Sequence, residues 1–449
     1  MKKIITLLAA VMLVGFFAVP AFSAVENVKV GGDIVVKGIY RNNFDLLEKA
    51  RGTGAAGDGN SYIYSGARIY VSAELTDNVS AMVRFIDERD WSGVVGLDAI
   101  SRGVQTDLAY IKIADLMLPS LDLTVGRQEI QIGDGLVVGS QYRAGLLNRL
   151  DSTSYYYDYG LQKAFDAIRL DYAFTAAPVT VSVFKAKITE AYDNAANAND
   201  SDLYGLDVVI NGNVAGQNLI INPYFVNYGI SVNGTQEAND LNTVGLKLGW
   251  QPLEALNISA EYAKQLGEDK ATGFLAPKAD YEGWAAVVGV DYKFATNMSP
   301  TISAMFADFS GQKANSRDWK AWQPVFPSNI ASRVGKIAYP ALFSNGEGSF
   351  DIGAGSGVRS IKLGVGLQPT DKVGVALDWF NLTADETPGA IDESIGNEID
   401  LTLNYAYSED LSFGLELGYL ISGDYVDDTL GNNNTENAWQ AVATMQVAF

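Results

Sequence analysis

The 449-residue sequence contains neither cysteine nor histidine, and only 12 prolines. Without cysteine there is no disulfide, so the chain must be held by its own hydrogen-bonded ladders and packing. Without histidine, neither a Ser–His esterase nor an Asp–His protease can be built from it. With both residue types missing, it lacks the attachment residues for a c-type haem and the usual metal ligands. Carboxylate-pair hydrolysis stays formally open, because Asp and Glu total 53, but nothing singles out one pair. The expectation is a protein that is not an enzyme and carries no cofactor. Cations are scarce too, and the formal charge of −21 argues against nucleic acid as a partner.

Long apolar runs are missing everywhere except at the N-terminus. Lys2 and Lys3 precede an almost purely apolar stretch from Ile4 to Val19, and Ala21-Phe22-Ser23 places small residues at the −3 and −1 positions. This predicts a cleaved signal peptide over residues 1–23 and a single domain over 24–449. The competing reading, a retained anchor, meets a run shorter than the roughly 20 residues that span a bilayer. No other stretch suits a membrane helix, so a membrane location requires strands.

What the chain has is alternation. At the C-terminus Trp439, Ala441, Ala443, Met445, Val447 and Phe449 are apolar, while Gln440, Thr444 and Gln446 lie between them. A terminal strand with one greasy and one wet face is what closing a membrane barrel requires. Its aromatic last residue resembles the sorting signal by which bacterial outer-membrane proteins reach their assembly machinery. The same period-2 pattern predicts strands over 28–40, 62–75, 78–87, 106–114, 120–128, 164–174, 178–188, 202–211, 216–228, 240–251, 255–265, 281–294, 299–309, 357–368, 371–382, 396–407, 410–422 and 437–449. Segments of about 9–11 residues match a tilted membrane strand. The 45 glycines suit bends and a crowded interior, and the 23 tyrosines suit interfacial girdles.

The connections alternate in length. Thr76-Asp77, Thr175-Ala176-Ala177, Pro252-Leu253-Glu254, Pro369-Thr370 and Ser408-Glu409 are short turns. Between them lie long polar loops, the longest over 310–356. The expected fold is therefore all-β: one antiparallel transmembrane barrel of about 18 strands, with 16 as the other count, short periplasmic turns and long extracellular loops. A soluble sandwich would hide its apolar face in one core, and at this length it would split into domains.

Assigning the apolar parity to lipid puts Lys37, Arg68, Arg84, Lys112, Arg169, Lys247 and Lys362 inside, with Asp33, Glu74, Asp171, Glu261, Glu282, Asp378, Asp400 and Glu416. A lipid-facing charge at midplane costs about 2–4 kcal/mol, so these charges turn inward. They either pair along the wall or form a charged constriction that screens solutes. Early strands supply most of the cations and late strands supply acids, which predicts a transverse field across the lumen. Three cations break parity: Arg127 follows Leu121, Leu123 and Val125, and Lys185 and Lys187 follow Val179, Val181 and Val183. A bulge at Gly126, and a phase placing Phe184, Ala186 and Ile188 toward lipid, would turn all three inward.

The longest loop carries Lys313, Arg317, Lys320, Arg333 and Lys336 with Trp319, Trp322, Phe326 and Phe343. It could fold inward as a constriction, stack on sugar rings, or cover the barrel mouth. Asp424, Asp427, Asp428 and Glu436 gather oxygens that could hold Ca²⁺, though the spacing matches no defined calcium loop and reads better as solvated surface. Tyr155-Tyr156-Tyr157 with Tyr159 reads as a girdle or loop cluster, with sugar stacking the lesser alternative.

Two regions carry a family resemblance. Val125-Gly126-Arg127-Gln128-Glu129-Ile130, Gly133-Asp134-Gly135 and Phe165-Asp166-Ala167-Ile168-Arg169-Leu170 resemble a strand–loop–strand of the alginate-export family. So do Glu398-Ile399-Asp400-Leu401, Tyr405-Ala406-Tyr407-Ser408, Leu411-Ser412-Phe413 and Gly423-Asp424-Tyr425. The resemblance implies an 18-stranded outer-membrane barrel passing an anionic solute through an arginine-lined constriction, with Arg127, Arg169 and Arg84 as pore residues. The function expected is a channel for polar or anionic small solutes or oligosaccharides. Its partners would be outer-membrane lipid and lipopolysaccharide, with oligomers allowed. The alternative is a barrel that sheathes a partner protein such as an electron-carrying cytochrome.

Overall fold

The computed structural model describes residues 26–44, 46, 59–91, 103–139, 159–161, 163–190, 200–214, 216–230, 239–270, 278–339, 355–387, 392–430 and 435–449. The expected signal peptide, Tyr155-Tyr156-Tyr157 and Phe343 lie outside the described residues.

Nineteen strand segments follow in order: β1 (Glu26–Asn42), β2 (Gly59–Thr76), β3 (Val79–Asp90), β4 (Gln105–Ile113), β5 (Leu121–Glu129), β6 (Ala164–Ala173), β7 (Val179–Thr189), β8 (Ser201–Val214), β9 (Gln217–Ile230), β10 (Asn239–Leu253), β11 (Leu256–Asp269), β12 (Ala279–Asp280), β13 (Trp284–Lys293), β14 (Thr301–Phe309), β15 (Val358–Thr370), β16 (Val373–Thr383), β17 (Ser394–Ala406), β18 (Leu411–Ser422) and β19 (Ala438–Ala448). The two-residue β12 only extends the ladder of β11, so 18 strands make the wall. Each sequence-predicted strand is present. Every described pairing between neighbours is antiparallel, and β1 bonds both β2 and β19. The sheet is thus a closed barrel.

Closure runs through the terminal strand. The β1–β19 register extends from Asp33↔Ala448 to Asn42↔Trp439, and Gly32 and Phe449 exchange backbone hydrogen bonds of 2.8 and 2.9 Å. Phe449 stands at the end of the barrel that carries the short turns. No described helix is long and apolar enough to cross a membrane.

The outer face is greasy. Ile111, Ile168, Ile302 and Leu363 each leave more than half of their surface exposed. Rings ride at both ends of that apolar band. Near the turns, Tyr172 meets Phe174 and Tyr292 meets Phe294, each with centroids 4.7 Å apart, and Tyr405 stacks on Phe413. Near the loops, Tyr40 lies 4.7 Å from Trp439 and Tyr262 stacks on Trp284. Two aromatic belts flanking an apolar band match a barrel seated in a bilayer.

The wall is not uniformly bonded. The ladder between β4 and β5 has only five residue pairs, from Ala109↔Arg127 to Ile113↔Leu123. A bulge at Asp107 shifts β4 against β3, since Arg84 faces Leu108 while Phe85 faces Thr106.

The outward position of Leu363 generates a prediction. Leu363→Arg places a cation in the apolar band, so the folding free energy in lipid vesicles should fall by about 2–4 kcal/mol. Denaturant titration followed by tryptophan fluorescence measures it. An unchanged midpoint would mean that this parity does not face lipid.

Candidate pore interior

Inward parity brings charges together across neighbouring strands. Asp33 on β1 stands directly opposite Arg68 on β2, which grips it with Nε–Oδ1 at 2.9 Å and Nη2–Oδ2 at 3.1 Å. The bulge turns Asp107 to Arg84 Nε at 2.5 Å, and the same guanidinium reaches Glu129 at 2.6 Å, beyond the end of the β4–β5 ladder. Lys112 pairs with Asp122 at 2.8 Å. Arg169 pairs with Asp171 at 2.8 Å, and Ser182 donates its hydroxyl to that carboxylate. Lys362 pairs with Asp378 at 3.1 Å, and Lys247 pairs with Asp134. Each of these cations has a carboxylate within reach, so the expected basic wall is a row of local ion pairs rather than a free positive field. Lys37 lies 4.4 Å from the centre of the Tyr159 ring.

Arg127, Lys185 and Lys187 differ from expectation. The register runs through Gly126 without an inserted residue, from Val125↔Ile168 to Arg127↔Asp166. Parity therefore continues, and Arg127 shares the outer face with Val125 and Ile168, bonded to Asp166 at 3.0 Å. On β7 it is Phe184 and Ala186 that are buried inside, while Lys185 faces outward beside Tyr204 and Asp202. Lys187 follows it outward, 3.4 Å from Asp202. These cations sit at the loop ends of their strands, where an outward charge costs little.

Two loop segments fold into the barrel. Residues 130–139 follow β5, and Ile132, Leu136, Val137 and Val138 are fully buried. Within the Gly133-Asp134-Gly135 motif both glycines take positive φ, +57° and +74°. A Cβ on Gly133 would run into the Glu261 carboxylate. That close approach lets the Asp134 N–H donate to Glu261 at 3.1 Å, while Tyr224 donates to the other oxygen at 2.8 Å.

The second segment, 310–339, starts along β11 and β13. Gln265 clamps it, accepting from Gln323 N at 2.9 Å and donating to Gln323 O at 2.6 Å. Val138 and Phe326 form a parallel bridge, and the Phe326 ring meets Phe165 and Tyr228 edge-on at 5.5 Å. Trp322 and Phe326 are buried and cannot stack on a solute from outside; Trp319 is exposed and donates to Asp269 at 2.9 Å. Arg333 ties the two segments, donating to Ser328 O at 2.8 Å and Asp134 O at 2.7 Å. Burial pulls its guanidinium below its usual value, with Glu261 and Asp134 opposing; an arginine stays charged through such a shift. Lys320 is raised instead, chiefly by its hydrogen bond to Glu282.

Beneath the second segment, Lys336 bonds Thr402 Oγ1 at 2.7 Å and pairs with Glu416 at 3.2 Å. Glu416 also lines a cavity of about 540 Å³ toward the turn end, with Lys37, Asn404, Ser412, Thr444 and Gln446. Asp400, nearby on β17, is buried and accepts from Lys336 N at 3.2 Å. The suggested calcium cluster is drawn apart: Asp424–Leu430 is helical, Asp427 accepts from Thr435 and Asp428 from Asp392. Among the described residues no group of three such ligands converges.

Several interior charges were not placed by the sequence reading, among them Arg41, Asp107, Asp122, Asp134 and Glu398. Arg41, buried and donating to Gln440 at 3.2 Å, continues the Lys37–Ile39 parity, and Glu398 lies two positions before Asp400, so alternation alone would have found both. Asp107 needed the bulge and Asp134 the loop's path, and neither leaves a signal in spacing.

Arg333→Ala should cost roughly 2–4 kcal/mol, because it strands two carbonyls and the carboxylates around them. Thermal unfolding in detergent reads the loss. A change within error would mean that the two segments hold without it.

Among curated protein sequences none matches the chain significantly. Solved structures do. OpdQ of Pseudomonas aeruginosa superposes with a TM-score of 0.57 at 10% identity, covering 95% of this chain and 99% of that one. OpdK of the same organism, solved with vanillate, gives 0.55 at 10% identity over 94% and 99%. OccAB1 of Acinetobacter baumannii gives 0.52 at 10% over 96% and 99%. At these identities the likeness carries the fold. The family model described as alginate export matches residues 36–440, almost the entire wall, and the chain belongs to that family, as a barrel of the bacterial outer membrane.

Proposed function

We propose that this outer-membrane channel passes polar or anionic small solutes, oligosaccharides among them, through an interior lined by Arg68, Arg84, Lys112, Arg169, Lys247 and Lys362 and their acidic partners. The observation that carries this reading is the alignment of those cations on one parity of a closed wall whose other parity is an apolar band. Fixed charge pairs around a bore select by the field they present to a passing ion. Asp171, Asp378, Asp400 and Glu416 temper that field, which favours moderate over strong anion preference. The structure of OpdK with vanillate makes a small aromatic carboxylate a natural test solute. Membership of the alginate export family makes uronate oligomers another.

The sheath reading is less well supported. Residues 130–139 and 310–339 occupy the part of the bore through which a partner protein would thread. Other proposed partners are lipopolysaccharide at the outer rim, the assembly machinery acting on the C-terminal strand, and further copies of the barrel. Residues 1–23 are the proposed export signal.

Planar-bilayer recording with a solute panel tests the channel. Neutralising Arg68, Arg84 and Arg169 to Gln leaves Asp33, Asp107 and Asp171 unpaired, so the reversal potential should move toward cation preference. Unaltered selectivity would count against a charged lumen. Phe449→Ala should reduce the amount of barrel assembled in the outer membrane while purified protein still folds into detergent. Equal assembly would remove the terminal aromatic from the sorting proposal.

A further inference from the structure

Segment 310–339 meets β17 at residues 335–338. Glu398 on that strand is fully buried, and its two oxygens accept from Ile337 N at 2.7 Å and Ala338 N at 2.8 Å. Two residues along the same inward face, Asp400 accepts from Lys336 N at 3.2 Å. Three consecutive backbone N–H groups of the segment thus converge on two carboxylates of one strand. Consecutive N–H groups form a concavity that takes oxygen acceptors, and here the barrel wall supplies them.

The surroundings are shaped for this contact. Gly335 has φ +104°, and a Cβ there would collide with the Glu398 carboxylate. Gly418, opposite Asp400 on β18, leaves the room that Ile337 fills; a Cβ on it would stand 2.9 Å from Ile337 Cδ1. The other inward ion pairs described above mostly join wall to wall. Glu398 instead uses its oxygens to join the wall to the inner segment. A buried carboxyl group is costly unless its oxygens are hydrogen-bonded, so the place of Glu398 on β17 is tied to the segment it holds.

We propose that Glu398, with Asp400 beside it, is the positioning residue that fixes the inner segment and thereby sets the aperture above the 540 Å³ cavity. This rests on the channel reading. The rest of the segment is held elsewhere, by Arg333 to Asp134 and by Phe326 to Val137. Removing Glu398 therefore frees the Ile337 and Ala338 N–H groups, leaves Lys336 as the remaining tie to Asp400, Thr402 and Glu416, and keeps the barrel closed.

The chain has no cysteine, so introduced thiols report cleanly. In planar bilayers, Glu398→Ala should conduct more than the wild type, with bursts of fluctuation, and Glu398→Gln should fall between them. Adding Ile337→Cys and Gly418→Cys to Glu398→Ala should restore steady wild-type conductance on oxidation, and reduction should undo it. A readout independent of transport is the labelling rate of Lys336→Cys by a membrane-impermeant maleimide, which should rise several-fold when Glu398→Ala is added. If the wild type conducts nothing while that rate rises, the anchor stands and the channel reading falls. The proposal is overturned if folded Glu398→Ala barrels match the wild type in conductance, noise and labelling. If Glu398→Ala does not fold, the same comparison made on Glu398→Gln decides.

Discussion

Every backbone N–H and C=O in the hydrocarbon layer must find its partner within the chain, because lipid offers none. The remaining features of this barrel depend on that requirement. It forbids an edge, so β1 must bond β19 as well as β2, and the last residue must reach Gly32. It explains why a chain without a single cysteine needs no covalent clasp. A closed ladder leaves no strand free to peel away alone.

Closure divides the side chains into two solvents. The outer parity meets acyl chains and is apolar through the middle of the wall. The inner parity must take the charges, and charges crowded into a partly dry bore find partners. Asp33 with Arg68, Asp122 with Lys112, and Asp378 with Lys362 are the result. Partly exposed pairs of this kind contribute only about 0–1 kcal/mol each. Their value to the molecule lies in presenting an ordered set of dipoles to whatever passes, at little cost in stability.

Much of the wall is legible in the sequence. Alternation is a local signal, and the spans around Leu411–Tyr419 or Val244–Trp250 read correctly because each residue reports its own side. The inward cations from Arg68 to Lys362 follow from the same rule. Arg127, Lys185 and Lys187 were misplaced by treating a charge as if it must always point inward; near the rim an outward charge is cheap, and the pleat continues undisturbed. The path of the inner segments is not legible. Nothing in the spacing of Val138 and Phe326, or of Glu398 and Ile337, says that residues far apart in sequence will meet. Those contacts are fixed by the shape of the bore, which exists only after closure. The bulge at Asp107 is hidden for a similar reason, since it depends on how β3 and β4 slide past each other.

The short ladder between β4 and β5 gives the wall a mechanical weak point. Resistance to local opening grows with the number of bonded pairs, and this seam has five where neighbouring seams have eight or nine. Arg84 holds Asp107 of one strand and Glu129 of the other, so one side chain stitches the hoop where its staves are least joined. A residue that looks like part of a selectivity ladder is thus also a fastener.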